Sequence, residues 1–201
     1  MSTSLEIPKA PRRMVFEPLL TDREFEELCA ANSNLALERT REGAIVVNAP
    51  AGSGSSDGNA EIVYQLRAWW KQHRRGRVYD SSAGVFLPDG SSLSPDAAYI
   101  TAEQASALSA EDLDHFLRFV PAFVIELRSK TDSLPKSQQK METWLANGAL
   151  LGWLIDPYAR VVHVYEAKKE VRTESGDRIE GSGTIAGFVL DLAEVWLSFK
   201  I

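Results

Sequence analysis

Alternation of apolar and polar residues between Ala122 and Asp156 predicts two buried strands joined by a helix, AFVIELRSKTDSLPKSQQKMETWLANGALLGWLID. Successive side chains of a strand point to opposite faces, so Glu126 and Arg128 are predicted to share one face of the first strand. The other face carries large apolar side chains, namely Phe123, Ile125 and Leu127. A carboxylate and a cation therefore project together from an otherwise apolar strand.

The carboxylate of Glu126 needs a partner, because burying such a group is costly unless a metal ion, a cation or hydrogen-bond donors compensate it. Arg128 is the nearest cation along the chain, so a structural ion pair between the two residues is one interpretation. A ligand role for Glu126 is the other. The spacing alone leaves both interpretations open.

Helices are predicted in three places, one of which is the helix between the two strands above. Thr21 followed by Glu24 is a capping-box signature that marks a helix start. Apolar residues at helical spacing predict a helix from Gly58 to His73, and the glycine- and serine-rich segment Pro50–Asn59 before it is expected to be a loop beside a site. A third helix, from Ser133 to Asn147, would carry Lys140 at the border of its buried face.

Strands are predicted in short apolar runs that are bounded by turn residues, with hairpins at Arg41-Glu42-Gly43 and at Asp156-Pro157. The segments outside the central strand are Leu35–Thr40, Ala44–Asn48, Arg77–Ser82, Gly84–Leu87, Pro95–Thr101, Leu150–Ile155 and Val161–Tyr165.

The composition fits one compact domain, because 201 residues with 44% hydrophobic content can bury a full core. Residues 15–201 are assigned to that domain and residues 1–14 to a terminal tail or arm. The single cysteine, Cys29, excludes a disulfide framework and a multi-cysteine metal site. With no signal peptide or membrane-spanning run in the sequence, a cytoplasmic protein without membrane contact is expected.

A net charge of −6 argues against broad electrostatic binding to nucleic acid. Any DNA contact would be local, at the dense basic cluster that contains His73 and the four cationic residues Lys71, Arg74, Arg75 and Arg77. A solvated helix end is the alternative interpretation of this cluster, because cations suit a helix C-terminus.

Three other polar residues stand in positions that allow two interpretations. Glu61 is either a first-turn acid that favours the helix dipole or a functional carboxylate. Asp96 follows a proline at the start of an apolar strand, so it is either a turn former or a ligand. Lys140 is either a lysine that reaches out to water or a site residue.

Several short motifs occur together in a recognisable order. They are Asn59-Ala60-Glu61-Ile62, Ser94-Pro95-Asp96-Ala97-Ala98, FVIELRS from Phe123, Lys140-Met141-Glu142, Asn147-Gly148-Ala149 and LGWLIDP from Leu151. Over about residues 15–195 this order resembles the Uma-two (Uma2) family of "putative restriction endonucleases", a branch of the PD-(D/E)XK nuclease superfamily.

The resemblance implies an α/β (α+β) fold with a restriction-endonuclease-like mixed β-sheet, flanking helices and additional hairpins. It also implies a metal site for Mg²⁺ or Mn²⁺ formed by Asp96 and Glu126, with Glu61 either completing the metal shell or holding Lys140. The superfamily has lysine where this chain has Arg128, and arginine cannot serve as a base. In the family that this chain resembles, the lysine lies instead on the following helix. The resemblance therefore makes Lys140 the candidate that positions or activates water, and Arg128 would stabilise charge on the phosphate.

The main hypothesis is thus an Mg²⁺-dependent endonuclease that acts on DNA and forms a homodimer or higher homo-oligomer. The second hypothesis is a non-catalytic dimeric interaction protein that retains the nuclease fold. A serine or cysteine hydrolase is less well supported, because the sequence has no G-x-S-x-G motif.

Overall fold

The protein is described by a computed structural model, which covers residues 12–200. These residues form five α-helices: α1 (Asp22–Ala31), α2 (Ser53–His73), α3 (Ala102–Ser106), α4 (Leu134–Ala146) and α5 (Leu192–Leu197). Two short 3-10 helices span Glu111–Asp114 and Gly183–Ile185.

The same residues form thirteen strands. They are β1 (Arg12–Met14), β2 (Ala36–Arg39), β3 (Ile45–Asn48), β4 (Arg77–Asp80), β5 (Val85–Phe86), β6 (Ser92–Leu93), β7 (Ala97–Ile100), β8 (Phe123–Leu127), β9 (Leu151–Asp156), β10 (Val161–Glu166), β11 (Arg172–Ser175), β12 (Arg178–Glu180) and β13 (Val189–Asp191).

The described chain divides into two compact units. The first contains the residues up to Pro50 together with Gly84–Ser94 and Ser109–Phe119, and the second contains the rest. A single domain over residues 15–201 stays a prediction. Of the predicted arm, residues 1–11 lie outside the described residues, and Arg12–Met14 forms β1, which pairs antiparallel with β3.

The first unit is a sheet with strand order β1-β3-β2-β6-β5, on which Phe25 and Leu28 of α1 are buried. The predicted capping box is confirmed, because Thr21 and Glu24 hydrogen-bond reciprocally at the start of α1. The predicted hairpin is confirmed as the antiparallel pair β2/β3, and Gly43 in its turn has a φ of 80°.

The second unit contains a six-stranded sheet with the order β11-β10-β9-β8-β7-β4. Strands β8 and β9 run parallel and are joined through α4, whereas the other neighbours are antiparallel. Helix α2 covers one face with Ile62 and Leu66, and α4 covers the other with Met141 and Trp144. Because both faces are covered, every residue of β8 and β9 is buried. The predicted mixed sheet with flanking helices is confirmed.

Helix α2 begins at Ser53, so the predicted loop Pro50–Asn59 is helical from that residue onward. Two glycines near its start permit close packing. A Cβ on Gly54 would lie 2.8 Å from the carbonyl oxygen of Ser198, and one on Gly58 would lie 3.0 Å from the ring of Phe199. Tertiary packing therefore overrides the low helix propensity of glycine and serine here.

Within residues 12–200, no helix combines the length and the apolar character that are needed to cross a bilayer.

We predict that Gly54→Ala lowers the free energy of unfolding by about 1 kcal/mol, because the added methyl group meets the backbone of Ser198. In an ordinary helix interior this change would be stabilising, since alanine is the better helix former. Ser56→Ala, at an exposed position of the same helix, is the control and should change stability by less than about 0.5 kcal/mol. Chemical denaturation measures both, and a Gly54→Ala protein at least as stable as wild type would contradict the close packing.

Candidate active site

Glu126 is a buried carboxylate in the central strand β8, with 7% of its surface exposed. Its Oε1 accepts a hydrogen bond of 2.8 Å from Nε1 of Trp144, and its Oε2 lies 3.1 Å from Nζ of Lys140. Lys140 and Trp144 are four residues apart on α4, a spacing that puts both on one helix face. One helix therefore supplies a cation and a neutral donor to the same carboxylate.

Lys140 lies where the buried site meets solvent. Its side chain is 26% exposed, while that of Glu126 is 9% exposed. The lysine side chain therefore turns inward to the carboxylate while solvent still reaches it. Of the two interpretations of Lys140, a lysine that reaches out to water and a lysine that belongs to a site, the contact with Glu126 favours the second.

Asp96 directly precedes β7, and its carboxylate bonds to two neighbouring elements. Oδ2 accepts a hydrogen bond of 2.7 Å from the backbone N–H of Leu127, and Oδ1 accepts a longer one of 3.4 Å from Nδ2 of Asn59. Leu127 is the residue after Glu126. The two predicted acids, Asp96 and Glu126, therefore lie at the same end of the β7/β8 pair.

Arg128 follows β8 and forms an ion pair with Asp156 at the end of β9. Its Nη2 lies 3.0 Å from Oδ1 of Asp156, and its guanidinium carbon lies 4.8 Å from the ring centroid of Tyr158. Burial raises the pKa of Tyr158, and the charge of Arg128 opposes that shift. An ion pair between Glu126 and Arg128 was one interpretation of their spacing. The structure instead pairs Glu126 with Lys140 and Arg128 with Asp156.

Asp156 also performs the turn role predicted for it. Its Oδ1 accepts hydrogen bonds from the backbone N–H groups of Tyr158 and Ala159. The same carboxylate therefore closes the β9/β10 turn and holds Arg128.

Glu61 lies on α2 and bonds within that helix. Its Oε1 accepts a hydrogen bond of 2.9 Å from Nε2 of Gln65, which also donates to the carbonyl of Asp191 at the start of α5. Among the residues that the structure describes, no three or more His, Cys, Asp or Glu side chains are grouped so that they could hold a metal ion. A metal shell that contains Glu61 stays a prediction.

The basic cluster is exposed at the C-terminal end of α2. Lys71 lies in the last turn, Arg74 is the left-handed C-cap with a φ of 52°, and Arg77 begins β4. Arg75 lies between them and is also exposed. This placement agrees with a solvated helix end, and a DNA contact stays a prediction.

Three residues at this site were not predicted as site residues from the sequence: Asn59, Trp144 and, as an ion-pair partner, Asp156. The spacing of Trp144 four residues after Lys140 is a signal that could have found it. Asn59 is in the same sequence motif as Glu61, but their side chains point about 200° apart around the helix axis. The structure thus puts Asn59, two residues before Glu61, against Asp96.

The oxygen atoms at this end of the sheet are of the chemical type that binds a hard divalent cation. Asp96 and Glu126 supply carboxylates, and Oδ1 of Asn59 is buried and has no hydrogen-bond partner among the described residues. Carboxylate and carbonyl oxygens are the ligands that Mg²⁺ and Mn²⁺ prefer.

The mixed sheet between two helices and the buried carboxylate on its central strand define a restriction-endonuclease-like fold. A family model described as "Putative restriction endonuclease" matches residues 22–193, and the chain belongs to this Uma2 family. A crystal structure described as a "putative nuclease" of DUF820 from Anabaena variabilis ATCC 29413 has the same fold, with a TM-score of 0.74 and 21% identity. The match covers 90% of this chain and 99% of that one. The comparison with curated proteins found no match.

We predict a coupling energy of about 2 kcal/mol between Lys140 and Glu126, because the pair is largely shielded from water. A double-mutant cycle with Lys140→Met and Glu126→Gln, read by chemical denaturation, measures it. The exposed pair Arg23 and Glu27 is the control, for which the coupling should be clearly smaller. Equal coupling in both pairs would show that burial does not strengthen the contact at Glu126.

Proposed function

We propose that the protein is a metal-dependent endonuclease that hydrolyses phosphodiester bonds of DNA. Membership of a family of this description implies a nuclease with a DNA substrate and a divalent metal ion. The observation that carries the proposal is the buried carboxylate of Glu126, which is held by Lys140 at the end of β8 where Asp96 also lies.

Asp96 and Glu126 would hold the metal ion, with Mg²⁺ or Mn²⁺ as the expected species. When bound, such an ion polarises the scissile phosphate and lowers the pKa of the attacking water. Glu61 stays the predicted third carboxylate. In the present arrangement its carboxylate is bonded to Gln65, so this role requires the side chain to leave that contact.

Lys140 is the residue proposed to position or activate the attacking water. Its Nζ is 3.1 Å from Glu126, so water that approaches this carboxylate also meets the amine. Partial exposure of the lysine keeps the site open to water from solvent. Trp144 fixes the other carboxylate oxygen through its indole N–H and thereby limits rotation of Glu126.

Arg128 is proposed to stabilise negative charge on the phosphate. Its guanidinium is held at the end of β8 by Asp156 and by the ring of Tyr158, so its position is fixed before a substrate binds. Because the group keeps its proton, it acts as a fixed positive charge and hydrogen-bond donor. The homo-oligomeric state and the cytoplasmic location stay predictions.

We predict that Glu126→Gln and Lys140→Met each reduce metal-dependent DNA cleavage by about 100-fold or more, because each change removes a group from the reacting centre. A plasmid-nicking assay across Mg²⁺, Mn²⁺ and a chelator measures the rate. Glu142 and Lys136 are exposed on the same helix, α4. The matched control variants Glu142→Gln and Lys136→Met should therefore cleave as wild type does.

The outcomes of this assay separate the two hypotheses on function. Cleavage that needs the metal ion and fails in Glu126→Gln supports the nuclease. Wild-type protein that cleaves no DNA form with either ion supports a non-catalytic protein that retains the fold.

We also predict that the basic cluster binds the DNA backbone. Lys71→Ala combined with Arg75→Ala should reduce the dependence of affinity on salt, by about 0.9 in the log–log slope for each phosphate that the variant no longer neutralises. Fluorescence anisotropy with labelled duplex, at several salt concentrations, measures the slope. A variant with the same charge change elsewhere, Lys169→Ala combined with Arg178→Ala, is the control. Equal slopes for the two variants would assign the cluster to a solvated helix end.

A further inference from the structure

Asn59 has an unusual environment for a carboxamide inside a helix. It lies on α2, where its Nδ2 donates a long hydrogen bond of 3.4 Å to Oδ1 of Asp96. Its Oδ1 is buried and finds no hydrogen-bond partner within residues 12–200. Buried acceptors of this kind are uncommon, because leaving one unsatisfied costs free energy. The contacts that the structure shows for Asn59 therefore leave its carbonyl oxygen unsatisfied.

The two ends of this carboxamide can exchange places by rotation of the terminal torsion. In the present arrangement the amino end faces a carboxylate, which is the favourable orientation without a cation. A cation at Asp96 would repel the amino end and attract the carbonyl oxygen. The rotation would break only one long hydrogen bond, so the structure opposes it weakly.

We propose that Asn59 is a neutral oxygen ligand of the cation-bound protein and completes the site of Asp96 and Glu126. This inference rests on the proposed function, because it assumes the cation site at that end of the sheet. In the arrangement described above, the same side chain steadies Asp96 through its N–H group. Rotation of the carboxamide would give its carbonyl oxygen the ion as a partner.

The position of Glu61 supports this assignment. Its carboxylate is bonded to Gln65, and that glutamine also bonds to the backbone of Asp191 at the start of α5. On α2 the side chain in contact with Asp96 is thus the carboxamide. A neutral oxygen ligand at this position also adds no charge, so the site carries less electrostatic repulsion than it would with a further carboxylate there.

The first experiment measures Mn²⁺ affinity of the full chain by electron paramagnetic resonance of the free ion. Asn59→Ala should weaken binding on the order of tenfold, and Asn59→Asp should restore it, because an oxygen returns at the same position. Gln72→Ala, an exposed carboxamide on the same helix, is the control and should bind as wild type does. Thermal unfolding without metal identifies any variant that fails to fold.

The second experiment detects the ligand directly. Protein labelled with ¹³C at the side-chain carbonyl of asparagine should show a hyperfine coupling between that carbon and bound Mn²⁺ by electron–nuclear double resonance. The coupling should disappear in labelled Asn59→Ala, which still contains the other asparagines.

Each outcome decides the proposal. Weaker binding by Asn59→Ala together with the ¹³C coupling supports the ligand role. Two outcomes overturn that role and leave the cation site of Asp96 and Glu126 in place. In one, the wild-type protein binds Mn²⁺ but shows no ¹³C coupling, and in the other, Asn59→Ala binds Mn²⁺ as tightly as wild type. Failure of the wild type to bind Mn²⁺ overturns this inference and the proposed metal dependence together.

Discussion

The arrangement of the second unit depends on a carboxylate buried in a central strand. Glu126 lies in β8, where both faces of the sheet are covered, so its carboxylate must be compensated inside the protein. Lys140 and Trp144 provide that compensation from a single face of α4. The helix is therefore fixed on the sheet by polar contacts as well as by packing of its apolar side chains. The same contacts bring an amine next to a carboxylate at a place that solvent reaches.

Local sequence signals predicted most of the secondary structure. The capping box at Thr21, the tight turn at Gly43 and the end of α4 each depend on residues close in sequence. The need of Glu126 for a partner was also predictable, because a single acid in a strand of large apolar residues is costly wherever the strand lies. The spacing of charged residues along the strand could not identify the partner, because Lys140 comes next to Glu126 only when α4 packs on the sheet.

The features that sequence reasoning missed depend on distant contacts. Parallel pairing of β8 with β9 sets Leu127 opposite Ile155, so the next residues, Arg128 and Asp156, become neighbours. That register is invisible in the spacing of Glu126 and Arg128. Helix α2 starts earlier than its glycine-rich sequence suggested. Gly54 and Gly58 lie within the helix, where close packing leaves little room for a side chain. Asn59 consequently lies on a helix and contacts Asp96.

Anomalous scattering from a crystal soaked in Mn²⁺ would show whether a metal ion binds between Asp96 and Glu126. One strong peak is expected at the end of β8, next to the carboxylate oxygens of Asp96 and Glu126. Absence of a peak there, with Nζ of Lys140 still on Glu126, would contradict it and leave the buried pair with a structural role.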